Sequence, residues 1–201
     1  MRVAVIGVGN VGGALASALT DAGHEVVVAA STAEKAAQAA AGFECEPAAS
    51  PNEASADADA VILAIPFNAA QQVAEEIRDE VAGKPVIDVT NSSSVVEHGT
   101  SNAEAFQAWL PEAHVVKAFN TVFASRLAGS TQDGQPLDGF IAGDDPEAKA
   151  TVATIVRDAG LAPLDVGDLK MARALEGMAW ANISLNMANN WPWHSAWKLA
   201  R

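Results

Sequence analysis

Apolar and polar positions alternate along this chain in a rhythm that switches between two periods. "RVAVIG" is a short β-branched run and reads as a strand. "NVGGALASALTDAG" follows, with Val11, Leu15, Ala18 and Leu19 at helical spacing and Gly23 as a stop. The switching continues: strand "HEVVVAA", an alanine-rich helix with Thr32 as cap and Gly42 as terminus, and a weak strand in "FECEP". "ADAVILAIP" is a strong strand, and its unbroken apolar character suits a sheet covered on both faces. The preceding "SADADA" reads as a loop. The helix "NAAQQVAEEIRDEVAG", the strand "KPVIDVT", a helix capped by Ser101 and the strand "HVVKAF" come next. Two further strands, "DGFIAGD" and "LAPLDVG", flank the helix "PEAKATVATIVRDAG". From about Asp168 the pattern gives one long helix, ended by Pro192, and an aromatic tail.

Such alternation predicts an α/β fold, a doubly wound parallel sheet with helices on both faces. The expected division is residues 1–167 for the sheet domain and 168–201 for a C-terminal helical segment. Half of the 201 residues are apolar, enough to bury a core without staples. The net charge of −13 repels nucleic acid and anionic membrane surfaces, so any phosphate site must be local. It is the charge of a solvated surface, and also fits a high-salt cytoplasm. The single cysteine, Cys45, excludes an internal disulfide and is expected as a small buried hydrophobe in a cytoplasmic protein. The N-terminal stretch imitates a signal peptide, but its glycines favour a folded strand, turn and helix. No apolar run approaches the length of a membrane span. His24, His98 and His114 show no ligand spacing, and no metal is expected.

The strongest local signal is "GVGNVGG", between the first strand and the first helix. Gly7, Gly9 and Gly12 form G-x-G-x-x-G. The first glycine permits the tight turn, the second lets backbone approach a pyrophosphate, and the third lets helix and strand pack closely. The helix N-terminus, at Asn10 and Val11, then offers free N–H groups to the phosphates. That context makes the motif a dinucleotide-binding turn. The end of the second strand selects the dinucleotide. An NAD site places a carboxylate there for the ribose hydroxyls. This chain has Ala29, Ala30, Ser31 and Thr32, with Lys35 one turn on, so NADP is favoured over NAD.

Other strand ends should meet at the same edge. Ile65, Pro66 and Phe67 follow the fourth strand and are expected as an apolar wall beside the cofactor. "DVTNSSS", Asp88 to Ser94, brings Asn91 to the cleft. "HVVKAFNT" should deliver Asn120 and Thr121 beside the nicotinamide. Lys117 is expected to bury its stem and hold its head in water, or to serve as a positive partner for cofactor or substrate. Hydride transfer from a nicotinamide needs placement more than acid–base chemistry, and negative charge developing on an acceptor calls for fixed donors. The Asn120 amide and the backbone N–H groups of Val122, Phe123 and Ala124 are the candidates.

Taken in order, "GVGNVG", "GHEVVVAAS", "AIPF", "DVTN", "SNAE", "VVKAFNT", "GDDPEAK" and "LEGMA" resemble the family of NADP oxidoreductases that use the deazaflavin coenzyme F420. "SNAE" followed by "HVVKAFNT" is also similar to the cytosolic NADPH-binding domain of the STEAP metalloreductases. The resemblance implies a Rossmann domain with a small C-terminal helical lid, usually dimeric, and hydride transfer between nicotinamide and a flavin-like ring. By position it implies that Gly7, Gly9, Asn10 and Val11 hold the pyrophosphate, and that Ser31 and Thr32 hold the adenosine phosphate. It sets Ile65 and Pro66 by the cofactor, and Asn120, Thr121, Val122, Phe123 and Ala124 at the nicotinamide and acceptor ring. The family often carries an Arg after a Ser at the end of strand two, where this chain has Ala30 and Ser31. Its archaeal deazaflavin enzymes carry a His-Thr-Ile-Pro type segment in place of Asn120-Thr121-Val122-Phe123.

The C-terminal helix is apolar on several sides, which suits burial against both its own domain and a dimer partner. Beyond it, Asn189, Trp191 and Trp193 are candidates to hold a flat acceptor ring, or the tail packs on its own domain. Three readings stay open: reduction of a deazaflavin, reduction of a flavin or ferric acceptor, and a redox sensor that binds NADP(H) without turnover.

Overall fold

A computed structural model describes residues 1–92, 99–127 and 131–200. Its elements are β1 (Arg2–Ile6), α1 (Asn10–Asp21), β2 (Glu25–Ala29), α2 (Ala33–Phe43), β3 (Glu46–Pro47), α3 (Pro51–Ala56), β4 (Ala60–Leu63), α4 (Ala70–Ile77) and β5 (Pro85–Asp88). There follow α5 (Asn102–Trp109), β6 (His114–Lys117), a small hairpin of β7 (Thr131–Gln132) and β8 (Gln135–Pro136), β9 (Asp138–Gly143), α6 (Pro146–Asp158), β10 (Ala162–Asp165) and α7 (Ala172–Asn189).

The main sheet runs β10-β9-β6-β5-β4-β1-β2-β3. Pairing is parallel from β3 through β6, and β6 meets β9 antiparallel. The sheet is therefore mostly rather than wholly parallel. The cause is the β6–β9 connection, which carries a 3-10 turn (Ala124–Arg126) and the hairpin but no described α-helical crossover. A strand that returns without a crossover pairs antiparallel. β10 is parallel to β9, as α6 between them requires.

Strand side chains alternate between two cores. Val3, Val5, Val26, Val28, Ile62 and Ile87 face Leu15 and Leu19 of α1 and Val152 and Ile155 of α6. Ala4, Ile6, Val27, Val61, Leu63 and Val86 face Ile77 of α4 and Phe106 of α5. Continuous apolar strands arise because both faces are covered.

Caps set several boundaries. Thr32 accepts from Lys35 N, and Ser101 and Glu104 form a reciprocal capping box, as expected. Helix α2 runs past Gly42 to Phe43 and ends where Glu44 turns left-handed (φ 55°). Helix α3 precedes β4 and takes in only Ser55 and Ala56 of "SADADA"; Asp57 to Asp59 are loop, as expected. The signal for α3 was Ser50 as cap, Pro51 in the first turn and Glu53 three residues on. Helix α7 ends at Asn190 (φ 51°), two residues before Pro192. Cys45 is half-buried against the core rather than fully inside it. No helix among the described residues is long and apolar enough to cross a membrane.

Candidate active site

The carboxyl ends of β1, β2, β4, β5 and β6 open on one edge, where three hollows share walls. The largest, about 740 Å³, is lined by Gly7, Gly9, Asn10, Val11, Ser31, Lys35, Ile65 and Pro66, among others. A second, about 240 Å³, shares Val11, Ile65 and Pro66 with it and adds Phe67, Val89, Thr90 and Asn91. A third, about 90 Å³, shares Val11, Val89 and Asn91 and adds Phe119 to Ala124 with Ala179, Asn182 and Ile183 of α7. They are successive stretches of one cleft. Val11 borders all three.

The glycine turn fits a dinucleotide by its space as well as its pattern. Gly7 has φ 102°, and a side chain there would run into the Ala64 carbonyl. A side chain at Gly12 would strike the Gly7 carbonyl, whereas one at Gly9 would meet nothing. Gly9 thus faces open space where a pyrophosphate would approach. Gly9 caps α1 without a side-chain hydrogen bond, and the first turn carries no acidic residue. The first intrahelical bond runs from Gly13 N to the Gly9 carbonyl (2.8 Å), so the N–H groups of Asn10, Val11 and Gly12 precede the ladder. Such groups suit an anion. At the end of β2, Lys35 Nζ donates to Ser31 Oγ (3.1 Å). Thr32 Oγ1 is occupied in capping α2, and Thr32 does not line the large hollow. Gln72, Val73 and Glu76 of α4 complete that wall, and sequence reasoning missed them. No motif marks them, since only the packing of α4 brings them there.

At the far end the chain bends sharply. Phe119 has φ 62°, and Asn120 N donates to the Ala118 carbonyl (2.8 Å). This is a γ-turn of the positive-φ kind, the rarer and more strained one. Phe119 is fully buried, and its packing holds the bend. The bend sets Asn120 against Asn91: Asn120 Nδ2 donates to Asn91 Oδ1 (2.9 Å), and Asn91 Nδ2 donates to the Asn120 carbonyl (3.0 Å). Asn120 Nδ2 also donates to the Leu175 carbonyl of α7 (2.9 Å). Asn120 Oδ1 is buried without a hydrogen-bond partner among the described residues. An amide held through its nitrogen, with its oxygen unused, is an acceptor waiting for a donor.

Lys117 departs from its expectation. It neither reaches water nor lines the cleft, and it is 0% exposed. Its Nζ donates to Asp88 Oδ2 (2.8 Å), the Thr90 carbonyl (2.5 Å) and Glu176 Oε1 (2.7 Å). All three donors are used, so none is left for a cofactor or substrate. The cause is register. Asp88 and Lys117 are Cα partners in the β5–β6 ladder, both at strand ends. A cation buried on a strand needs counter-ions, and burying ions costs several kcal/mol each, about the scale that pairing must offset. Glu176, from α7, supplies the second. Its Oε1 also accepts from Asn102 N (2.8 Å), and Oε2 has no partner among the described residues. Burial pushes the Glu176 carboxyl above its ordinary range, against the pull of Lys117. Asp88 and Glu176 were missed as a cluster. The available signal was a lysine in a strand too apolar to be wet.

The tail folds back on its own chain. Trp193 meets Phe123 edge-on (centroids 5.4 Å apart). Ser125 Oγ donates to the Trp193 carbonyl (2.7 Å), and Arg126 donates to that of His194 (2.7 Å). Ser195 Oγ bonds Asn182 and Asn186 (both 2.6 Å). Asn189 donates to the Leu185 carbonyl of its own helix, and Trp191 is exposed. Asn189, Trp191 and Trp193 do not line the 90 Å³ hollow; Ala179, Asn182 and Ile183 do. Phe67 borders the middle hollow and packs on Phe106 and Trp109. Ser93, Ser94 and His98 lie outside the described residues.

A Rossmann-like sheet with a glycine-turn cleft at its switch point, and no carboxylate at the end of β2, defines a dinucleotide-binding protein suited to NADP. Residues 2–92 match the family described as NADP oxidoreductase, coenzyme F420-dependent. Over 94% of its length the chain is 31% identical to the F420-dependent NADP reductase of Methanothermobacter thermautotrophicus, covering 90% of that protein. The chain belongs to this family. It is also 33% identical over 88% of its length to the metalloreductase STEAP3 of Rattus norvegicus, of which it spans 36%. A crystal structure from Arthrobacter sp. FB24, assigned as an F420-dependent NADP reductase, superposes over both whole chains with a TM-score of 0.88 at 28% identity.

Proposed function

We propose that this oxidoreductase transfers a hydride between NADP(H) and a deazaflavin of the F420 type. The observation that carries the reading is the continuous cleft. It begins at Ser31 and Lys35, passes the glycine turn, and ends at Asn120 and α7. Relatives covered over nearly their whole length are F420-dependent NADP reductases by name, which supports the acceptor.

The nicotinamide supplies the hydride when bound; the chain supplies placement. The N–H groups of Asn10, Val11 and Gly12 hold the pyrophosphate, with Gly9 leaving room. Ser31 and Lys35 receive the 2′-phosphate, while Thr32 is spent on capping α2. Ile65 and Pro66 wall the cofactor, and Asn91 fixes Asn120. Asn120 Oδ1, unpartnered and buried, accepts from the carboxamide. The Val122 N–H, a sequence candidate, is spent on the Phe119 carbonyl (3.1 Å), so the N–H groups of Phe123 and Ala124 are left to stabilise charge on the acceptor ring, and Ala179 and Ile183 close the apolar side. Residues 168–201 then form the acceptor-binding and dimerisation segment of a cytoplasmic homodimer.

The 33% identity to a metalloreductase favours a second reading, reduction of a flavin or a ferric complex by the same cleft. One assay separates them. Pure protein is mixed with NADPH and either F420, FMN, FAD or ferric citrate, and nicotinamide absorbance is followed. Rapid oxidation with F420 alone supports the proposal. Turnover confined to free flavin or ferric citrate transfers the assignment to the second reading.

A further inference from the structure

Asp88, Lys117 and Glu176 are each 0% exposed and lie directly behind the nicotinamide end of the cleft. Asp88 precedes Val89, which lines the cleft, and Lys117 Nζ binds the carbonyl of Thr90, between Val89 and Asn91. Glu176 follows Leu175, whose carbonyl holds Asn120. The cluster thus touches the cleft floor from three elements: β5, β6 and α7. It contains two carboxyls and one ammonium. Fully ionised it carries one net negative charge; with one proton it is neutral. Among the described residues the other groups nearby do not offset that charge. From α5, Asn102 contributes an N–H, and Glu104 is already paired with Arg173 at the surface. Asp168 and Lys170, before α7, are exposed.

We infer that this cluster is a one-proton electrostatic element beneath the nicotinamide, and that its charge sets the relative affinity for the oxidised and reduced cofactor. The inference rests on the cofactor placement proposed above. Oxidised nicotinamide is a cation and the reduced ring is neutral. A negative cluster therefore favours NADP⁺, and a neutral one does not discriminate. The proton resides on Glu176, whose Oε2 has no partner among the described residues to stabilise an anion. Glu176 is a positioning residue in this sense: it acts through Lys117 and the cleft floor and does not touch the ring.

The test is equilibrium binding of NADP⁺ and of NADPH across pH 5.5 to 9, read as the ratio of the two Kd values. The 2′-phosphate titrates in both ligands, near pH ~6, so it cancels in the ratio. The ratio Kd(NADP⁺)/Kd(NADPH) should fall about tenfold as pH rises and the cluster loses its proton. In Glu176→Gln the ratio should be flat, because the amide keeps the Oε1 acceptor and cannot ionise. In Asp88→Asn the fall should move to lower pH, since Asp88 helps hold the Glu176 carboxyl high. A flat ratio in the wild-type protein, or an unchanged fall in Glu176→Gln or Asp88→Asn, overturns the inference. Absence of binding by either nucleotide overturns the cofactor placement and the inference with it.

Discussion

Ser31 and Lys117 show how single side chains divide the labour. Ser31 stands at the end of β2, where a carboxylate would grip a ribose diol, and its hydroxyl is joined to the Lys35 ammonium. Ser31→Asp should weaken NADPH at least about tenfold more than NADH, because an anion there repels only the 2′-phosphate. Fluorescence titration of both nucleotides checks this, and equal weakening would contradict the cofactor choice. Lys117 acts by structure. Lys117→Met should cost about 3–5 kcal/mol, because two buried carboxyls lose their cation. Urea denaturation measures it, and a loss below ~1 kcal/mol would show that the cluster is not held by charge. At this scale the glycine turn and Asn120 were legible, since their chemistry is local. Lys117 was misjudged because its partners are 29 and 59 residues away, and no window along the chain contains them.

Elements place these residues, and their legibility followed the same divide. The strands and most helices were readable from period and caps. The β6–β9 reversal was not, because it depends on a connection without a described helical crossover rather than on either strand. Helix α7 matters most for the site. It lines the cleft through Ala179, Asn182 and Ile183, supports it from behind through the Leu175 carbonyl and the Glu176 side chain, and is anchored to α5 by Arg173 on Glu104 (2.6 Å). Hydrogen bonding from Arg173 holds the Glu104 carboxyl down to about 2 from an ordinary 4.5. A carboxyl lowered on folding stabilises the fold above its unfolded value and loses that contribution as pH falls toward the folded one. The acid side of the stability curve, from about pH 4.5 down to about 2, should therefore be less steep in Arg173→Met. Thermal melts at stepped pH test it; an unchanged slope would mean that the pair does not couple α7 to α5.

The whole molecule leaves apolar surface uncovered on its C-terminal side. Trp180, Leu185, Met187 and Trp191 are exposed on or just after α7 (Met187 67%). Exposed apolar clusters of this kind mark association surfaces. If that surface is the proposed dimer contact, light scattering should give twice the chain mass, and the double variant Trp180→Glu, Met187→Glu should give a monomer. A wild-type monomer at high concentration would remove the dimer from the account. On the proposed placement the glycine turn and Lys35 meet the anionic dinucleotide against a net charge of −13, so binding would rest on local N–H groups rather than on the overall field. That dependence makes one measurement decisive: a crystal structure of the protein with NADPH bound. The account predicts the pyrophosphate on the N–H groups of Asn10, Val11 and Gly12, with the carboxamide accepted by Asn120 Oδ1. A nucleotide bound elsewhere, or a nicotinamide turned away from Asn120, would contradict it.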